Sequence, residues 1–484
     1  MFGRIIVGRR YIKIILLAVV LIPLLHQLIV LITRGKEHTG YNIPKLQDKV
    51  PTLQGVNDYF KNIGNSAQNA TETPDDIVDA GEPVVIYPDV SDPEILADLP
   101  YLKADGSLNK YFFSKFVDHD DNKKARKVFQ ENNRLYADYI MEPIDEPKVD
   151  NLQRPSEDYK LANATLLSLV RNSELDGILS AMEQVEAKFN SKFHYPWTFM
   201  NDVSFSKEFK TKVKAATESE VHFITIPKKL WKKPIFIDKD LEQKNIDLML
   251  ANGVGYADME SYHNMCRFYS GTFYNIPHLQ QFKYYWRVEP DTKYFCDIDY
   301  DVFKFMQDNN KSYGFNINLY DGPSSITKLW NTTMEFLEEH PKYLNPNGAF
   351  QWLLEDMQNP EKNQIAGYST CHFWSNFEIA DMDFFRGEAY SKWFEHLDNS
   401  GGFYYERWGD APVHAIGLGL FEDKSRIHFF RDIGYHHMPF TNCPNSDRCD
   451  CEAGKFVPWF SVEKENCMAN WVKYGMSEDE KNMF

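Results

Sequence analysis

From Ile14 to Thr33 the chain runs for 20 residues without an Asp, Glu, Lys or Arg. As a helix rising 1.5 Å per residue, that run spans about 30 Å, the thickness of a bilayer's hydrocarbon core. A cleaved secretory signal has a shorter apolar region, about 7–15 residues, and a small-residue cleavage site. The run here ends in Leu31, Ile32, Thr33 and Arg34 and offers no such site. Arg4, Arg9, Arg10 and Lys13 precede it, whereas Arg34, Lys36 and Glu37 follow as a weak mixture. The positive-inside bias therefore makes residues 1–13 a cytosolic tail and 14–33 an uncleaved signal anchor. Everything after them is luminal or extracellular in this reading.

Charge divides the chain at the same place. Four of the 53 basic residues and none of the 70 acids lie before residue 34, so the whole-chain −17 becomes −21 beyond it. An acidic body excludes a nucleic-acid partner, which needs a basic face to release its counterions. Two further features suit a luminal body. Acceptor triplets for N-glycosylation begin at Asn69, Asn163, Asn310 and Asn331. Seven cysteines (266, 296, 371, 443, 449, 451 and 467) are expected to form disulfides with one thiol left over. The spacing of the last four matches no common zinc motif, and the sequence does not fix their pairing.

Between Lys61 and Lys103 there are nine acids, five prolines and no basic residue. Self-repulsion and fixed proline dihedrals keep such a stretch extended, so residues 34–105 read as a stem and 106–156 as a stem or collar segment with a helix over Asn122–Tyr139. From residue 157 to 484 the pattern is that of one luminal catalytic domain. ATLLSLVRN reads as a buried strand, and a helix follows with apolar positions Leu175, Ile178, Leu179, Met182, Val185 and Phe189. YPWTFMND, VHFITIP, FKYYWRVEPD and YGFNINLY read as further strands, with helices over Lys207–Ala216 and near Val302–Gln307. Alternating strands and helices make an α/β, mainly parallel sheet whose ligands gather at the carboxyl ends of its strands. Neither GxGxxG nor GxxxxGK[ST] occurs, so the usual dinucleotide and P-loop folds lack their signatures.

Four segments carry chemistry. In YYWRVEPD, apolar strand residues run into Arg287, Glu289 and Asp291, and an acid-x-acid pair at a strand end suits a hard cation, although in an acidic protein a solvated turn is the commoner case for such a pair alone. A rival, CDIDYD, offers Asp297, Asp299 and Asp301, the last also an N-cap for the next helix. Glu378 sits among Phe373, Trp374, Phe377 and Phe385, either tuned by an apolar shell or paired to Arg386. Asp410 in Trp-Gly-Asp-Ala-Pro caps a helix or orients a sugar, and of the neighbouring His436 and His437 at most one is a ligand.

Together these segments are more specific than any alone. SYHNMCRFYSG, YYWRVEPD, YSTCHFWSNFEI, GGFYYERWGDAPVH and DIGYHHMPFTNCP resemble, in order, the fungal Golgi α-1,2-mannosyltransferases of glycosyltransferase family 15, over roughly residues 160–484. The resemblance implies a single-pass type II Golgi membrane protein with a GT-A-like nucleotide-sugar transferase fold. It implies transfer of mannose from GDP-mannose to α-mannoside acceptors on glycoproteins, with retention and with Mn²⁺. It assigns the metal to Glu289 and His437, the nucleophile to Glu378, and donor or substrate contacts to Tyr262, Arg171, Asp410 and Arg287. Tyr262, Trp374, Tyr404 and Trp408 are the aromatics offered for sugar packing. The alternative is a catalytically silent mannan-binding or scaffold protein of the same fold; a glycosidase, which needs neither metal nor nucleotide site, fits less well.

Overall fold

The computed structural model describes residues 99–113, 122–156, 158–354, 365, 367–456 and 466–484. The cytosolic tail, the anchor at 14–33, the stem as far as residue 98 and Asn69 lie outside the described residues. Among the described residues no helix is long and apolar enough to cross a membrane.

The strands are β1 (Ala164–Leu169), β2 (Trp197–Asn201), β3 (Val221–Thr225), β4 (Tyr284–Arg287), β5 (Lys293–Tyr294), β6 (Tyr313–Phe315), β7 (Asn318–Tyr320), β8 (Cys371–Phe373), β9 (Glu378–Asp381), β10 (Ile427–Phe429), β11 (Tyr435–His437) and β12 (Phe440–Asn442). Seven of them form one sheet in the order β10-β6-β9-β4-β1-β2-β3. All its pairings are parallel except those of β9, which runs antiparallel to both β4 and β6. The expected mainly parallel α/β sheet is present, and its one reversed strand is the one that begins with Glu378.

Side chains alternate across a strand, so each buried strand feeds two cores. Leu166, Trp286 and Ile379 face one side, with Ile178 and Met182 of the helix Leu175–Val185 and Phe209 of Lys207–Ala215. That first helix buries its apolar residues at helical spacing and continues into a π turn, Glu186–Asn190, that adds Phe189. Leu167, Tyr285, Tyr313 and Ala380 face the other side, under the helices Glu260–Gly271, Glu388–Asn399 and Asp410–Phe421. The last is buried on every side but Ala411, which its small residues permit. A Cβ on Gly417 would lie 2.5 Å from the Tyr390 ring, so only glycine lets those two helices approach.

Two expectations change. The stem does not extend to residue 105, because Leu99, Tyr101 and Leu102 are buried in the main core. The expected strand over YGFNINLY is two strands: the backbone turns from β6, in the large sheet, to β7, which pairs with β8 instead. The helix over 122–140 forms as expected and buries Phe129, Tyr136, Tyr139 and Ile140. The body thus includes the collar segment.

Three disulfides join Cys296 to Cys449, Cys371 to Cys467 and Cys443 to Cys451, leaving Cys266 free and buried. Two of them fasten the loop after β12 beside the small sheet β12-β11-β5. Asn163, Asn310 and Asn331 are all exposed, as glycan acceptors must be.

Candidate active site

A cavity of about 590 Å³ opens where β1, β2 and β4 end, and its wall includes Val170, Asn201, Arg287 and Glu289. Carboxyl ends of parallel strands leave such a crevice because the connecting helices diverge from the sheet there. β9 runs the other way, so its first residue, Glu378, lies at this same end, directly across from Arg287 in register.

Arg287 organises the site. Its side chain is 6% exposed, stacked 3.6 Å from the Tyr269 ring centroid. Nε donates to Glu289 Oε1 at 2.6 Å and Nη1 to Asp410 Oδ2 at 2.6 Å, with Glu378 Oε1 at 3.8 Å from Nη1. A planar guanidinium presents its N–H donors in a rigid fork, which fixes the directions in which the two carboxylates are held. Burial alone would push Arg287 down, but Glu289 and Asp410 outweigh it and hold the group well above its ordinary value. Asp410 also accepts from Ser375 Oγ at 2.7 Å. Its burial raises its carboxyl, and the charges of Arg287 and His414 with the hydrogen bonds from Ser375 and Arg287 together more than reverse that, leaving Asp410 below the usual range.

Glu378 has no exposed surface and is not part of the cavity wall. Tyr285 donates to Oε1 at 2.8 Å and Tyr313 to Oε2 at 2.9 Å, while His414 Nδ1 lies 3.0 Å from Oε2. Burial first, and the Glu378 charge second, push both tyrosines well above the ordinary phenol value, so they remain donors. Arg386, the partner weighed from sequence, instead binds the backbone carbonyls of Tyr274, Leu279 and Phe282.

Glu289 and His437 both line the cavity. Glu289 Oε1 accepts from Arg287, and no hydrogen bond to Oε2 is found within the described residues. His437 Nδ1 sits 3.1 Å from the Met438 carbonyl; since a carbonyl only accepts, Nδ1 is the donor there, and Nε2 has no hydrogen bond among the described residues. His436, next along β11, faces the other way and meets Thr441 Oγ1 at 2.9 Å. Among the described residues no group of three or more His, Cys, Asp or Glu could hold a metal. One carboxylate oxygen and one imidazole fit a divalent ion that completes its shell with phosphate oxygens and water.

Of the other expected residues, Tyr262 lines the cavity and stacks on Tyr256 at 4.7 Å, and Arg171 stands at the rim, 65% exposed and paired to Glu174 at 2.9 Å. Trp374 is in the wall, but Tyr404 and Trp408 are core residues at 1% exposure each. Asp291 is turned away, its carboxylate packed over Gly177. The rival acids are accounted for elsewhere: Asp297 pairs with Lys188, Asp299 with Lys192 and Arg448, and Asp301 caps the helix Val302–Asp308. Sequence reasoning missed His414, Arg407 and Asp321. His414 lay within a quoted motif, one turn after Asp410, and that spacing was the available signal; nothing in the sequence pointed to Asp321.

The model of the family described as glycolipid 2-alpha-mannosyltransferase matches residues 115–476. The chain belongs to that family. It is a mannosyltransferase, and similar proteins come from several fungi. The probable mannosyltransferase Ktr4 of Saccharomyces cerevisiae is 50% identical over 374 residues, covering 75% of this chain and 81% of the yeast protein. The crystal structure of the S. cerevisiae mannosyltransferase Ktr4p in complex with GDP matches with a TM-score of 0.75 at 49% identity, over 78% of this chain and 98% of that one. Core-mannan synthase A of Aspergillus fumigatus, in its Mn/GDP form, matches with a TM-score of 0.67 at 47% identity, over 70% and 94%. The mannosyltransferase fold thus accounts for the sheet, the reversed strand and the cavity together.

Proposed function

We propose that this cavity binds GDP-mannose together with Mn²⁺ and transfers mannose, with retained configuration, to the 2-position of an α-mannoside on a glycoprotein. The observation that carries the reading is the meeting of Glu289, His437, Arg287 and Asp410, from widely separated segments, on one cavity wall. GDP in a Ktr4p structure and Mn with GDP in core-mannan synthase A support the donor and the ion. The signal anchor and the exposed sequons support a single-pass type II protein of the Golgi membrane with this body in the lumen.

Breaking the mannose–phosphate bond puts negative charge on the departing diphosphate and positive charge on the sugar carbon. Mn²⁺, held by Glu289 and His437, would supply Lewis-acid neutralisation of the diphosphate. Arg287 fixes the Glu289 and Asp410 carboxylates through charge-assisted hydrogen bonds, and Arg171 at the rim is free of the core and able to reach phosphate. Glu378 sets a negative charge beside Arg287 without exposure. Its burial and its three partners support stabilisation of the cationic sugar over covalent attack, with the acceptor hydroxyl entering on the leaving-group side. We assign the acceptor end to the part of the cavity lining where Tyr262, Arg407 and Asp321 converge.

The test is direct. Purified full-length protein with Mn²⁺, GDP-mannose and α-methylmannoside is expected to yield an α-1,2-linked disaccharide, and to yield none with chelator. Absence of disaccharide under the first condition would defeat the reading.

A further inference from the structure

His414 lies on the helix Asp410–Phe421 with no exposed surface. Its Nε2 is 2.9 Å from the Tyr269 carbonyl and its Nδ1 is 3.0 Å from Glu378 Oε2. A carbonyl only accepts, so Nε2 carries a proton. A neutral ring would then aim the Nδ1 lone pair at a carboxylate oxygen, two acceptors face to face in a dry interior, an unfavourable arrangement that no water relieves. The contact exists only with a second proton on the line between them. Both Glu378 oxygens already accept hydrogen bonds, Oε1 from Tyr285 and Oε2 from Tyr313, with Arg287 3.8 Å from Oε1, so the proton on this line belongs to the ring.

We propose that His414 is a charged imidazolium and the positioning residue that holds Glu378 ionised, leaving Arg287 to serve Glu289 and Asp410. This deepens the proposed function and rests on Glu378 being used as a carboxylate in transfer. Asp410, on the same helix, adds a second negative charge; the rings of Phe385 at 4.7 Å and Tyr390 at 6.4 Å are uncharged, and Arg287 stands beyond Glu378. Burial pushes the imidazole down, but the Glu378 charge and hydrogen bond, with Asp410 behind, bring it above its ordinary value. The charge balance gives the device a purpose. Arg287 and His414 against Glu289, Asp410 and Glu378 leave one net negative charge, which a divalent ion converts to one positive. With a neutral His414 the same ion would only reach zero, so less positive charge would meet the negative charge that develops on the departing diphosphate.

The experiment uses full-length protein labelled with ¹⁵N-histidine. The His414 nitrogen signals, assigned by their loss in His414→Gln, are expected to be those of a doubly protonated ring from pH ~5.5 to ~8, across the range where an ordinary histidine titrates. In His414→Gln, kcat at pH ~6.5 should fall ~10- to 100-fold with the donor KM within ~3-fold, and activity should recover as pH rises, because a carboxylate without its cation protonates more readily. If that variant does not fold, Glu378→Gln supplies the assignment, since the same signals must then become those of a neutral ring. Neutral-ring signals in the wild type at pH ~6.5, or an unshifted pH profile in His414→Gln, would overturn the proposal. A fully active Glu378→Gln would defeat the use of Glu378 and leave the charge on His414 standing, so the two failures are told apart.

Discussion

Arg267, on the helix Glu260–Gly271, and Asp398, on Glu388–Asn399, form a pair whose loss can be calculated from its surroundings. Nε and Nη2 of Arg267 reach the two carboxylate oxygens at 2.6 Å each, and the side chains are only 2% and 3% exposed. Replacing Arg267 with Met removes the cation and strands the carboxylate in the interior. Breaking a buried pair in this way costs about 3–5 kcal/mol, a large part of the ~5–15 kcal/mol that holds a domain folded. The double change Arg267→Met with Asp398→Leu strands nothing and should return to within ~1 kcal/mol of the wild type. Urea midpoints at constant slope measure both, and the double-mutant cycle isolates the pair. A single variant that loses less than ~1 kcal/mol, or a double variant as unstable as the single, would refute the reasoning.

Three further outcomes are expected. Glu289→Ala and His437→Ala should each weaken Mn²⁺ binding in the presence of GDP at least ~10-fold by electron paramagnetic resonance titration, whereas His436→Ala, facing Thr441, should change it less than ~3-fold. Arg407→Ala should raise the acceptor KM ~10-fold while leaving the donor KM within ~2-fold in steady-state kinetics, because Arg407 stands with Tyr262 and Asp321 at the proposed acceptor end. Burial holds Asp432 up at about 6, with Tyr300 donating to it at 2.8 Å. A folded-state value above the unfolded one means stability present below pH ~4 and lost as pH rises through about 6, so Asp432→Asn should be more stable than wild type by about 3 kcal/mol at pH ~7.5 and no different at pH ~4 in urea titrations.

Local pattern carried much of the fold. The buried run Ala164–Leu169, the helical spacing from Leu175 to Phe189 and the cap at Asp301 are each written within a dozen residues, and each forms as the spacing requires. That His436 and His437 face apart needed only the knowledge that they sit on a strand; that His437 is the one lining the cavity did not follow from it. The surroundings of Glu378 were out of reach for a different reason. Tyr285, Tyr313 and His414 meet it because β9 inserts between β4 and β6, a strand order that no local periodicity encodes. The same holds for Asp291, whose left-handed backbone, φ 59°, turns it away from the cavity in a way residue type does not announce.

The reversed strand has a consequence for how the protein is made. Its neighbours in the site come from far along the chain: 123 residues separate Arg287 from Asp410 and 145 separate Tyr269 from His414. Contacts so distant in sequence form late, since the loop between them must first be closed. A nascent chain can assemble β1 to β4 early, yet it has no complete donor pocket until the hairpin bearing His437 has docked. A nucleotide that binds only the finished pocket stabilises only finished molecules. A nucleotide bound there shifts the population toward molecules that have closed every one of those loops.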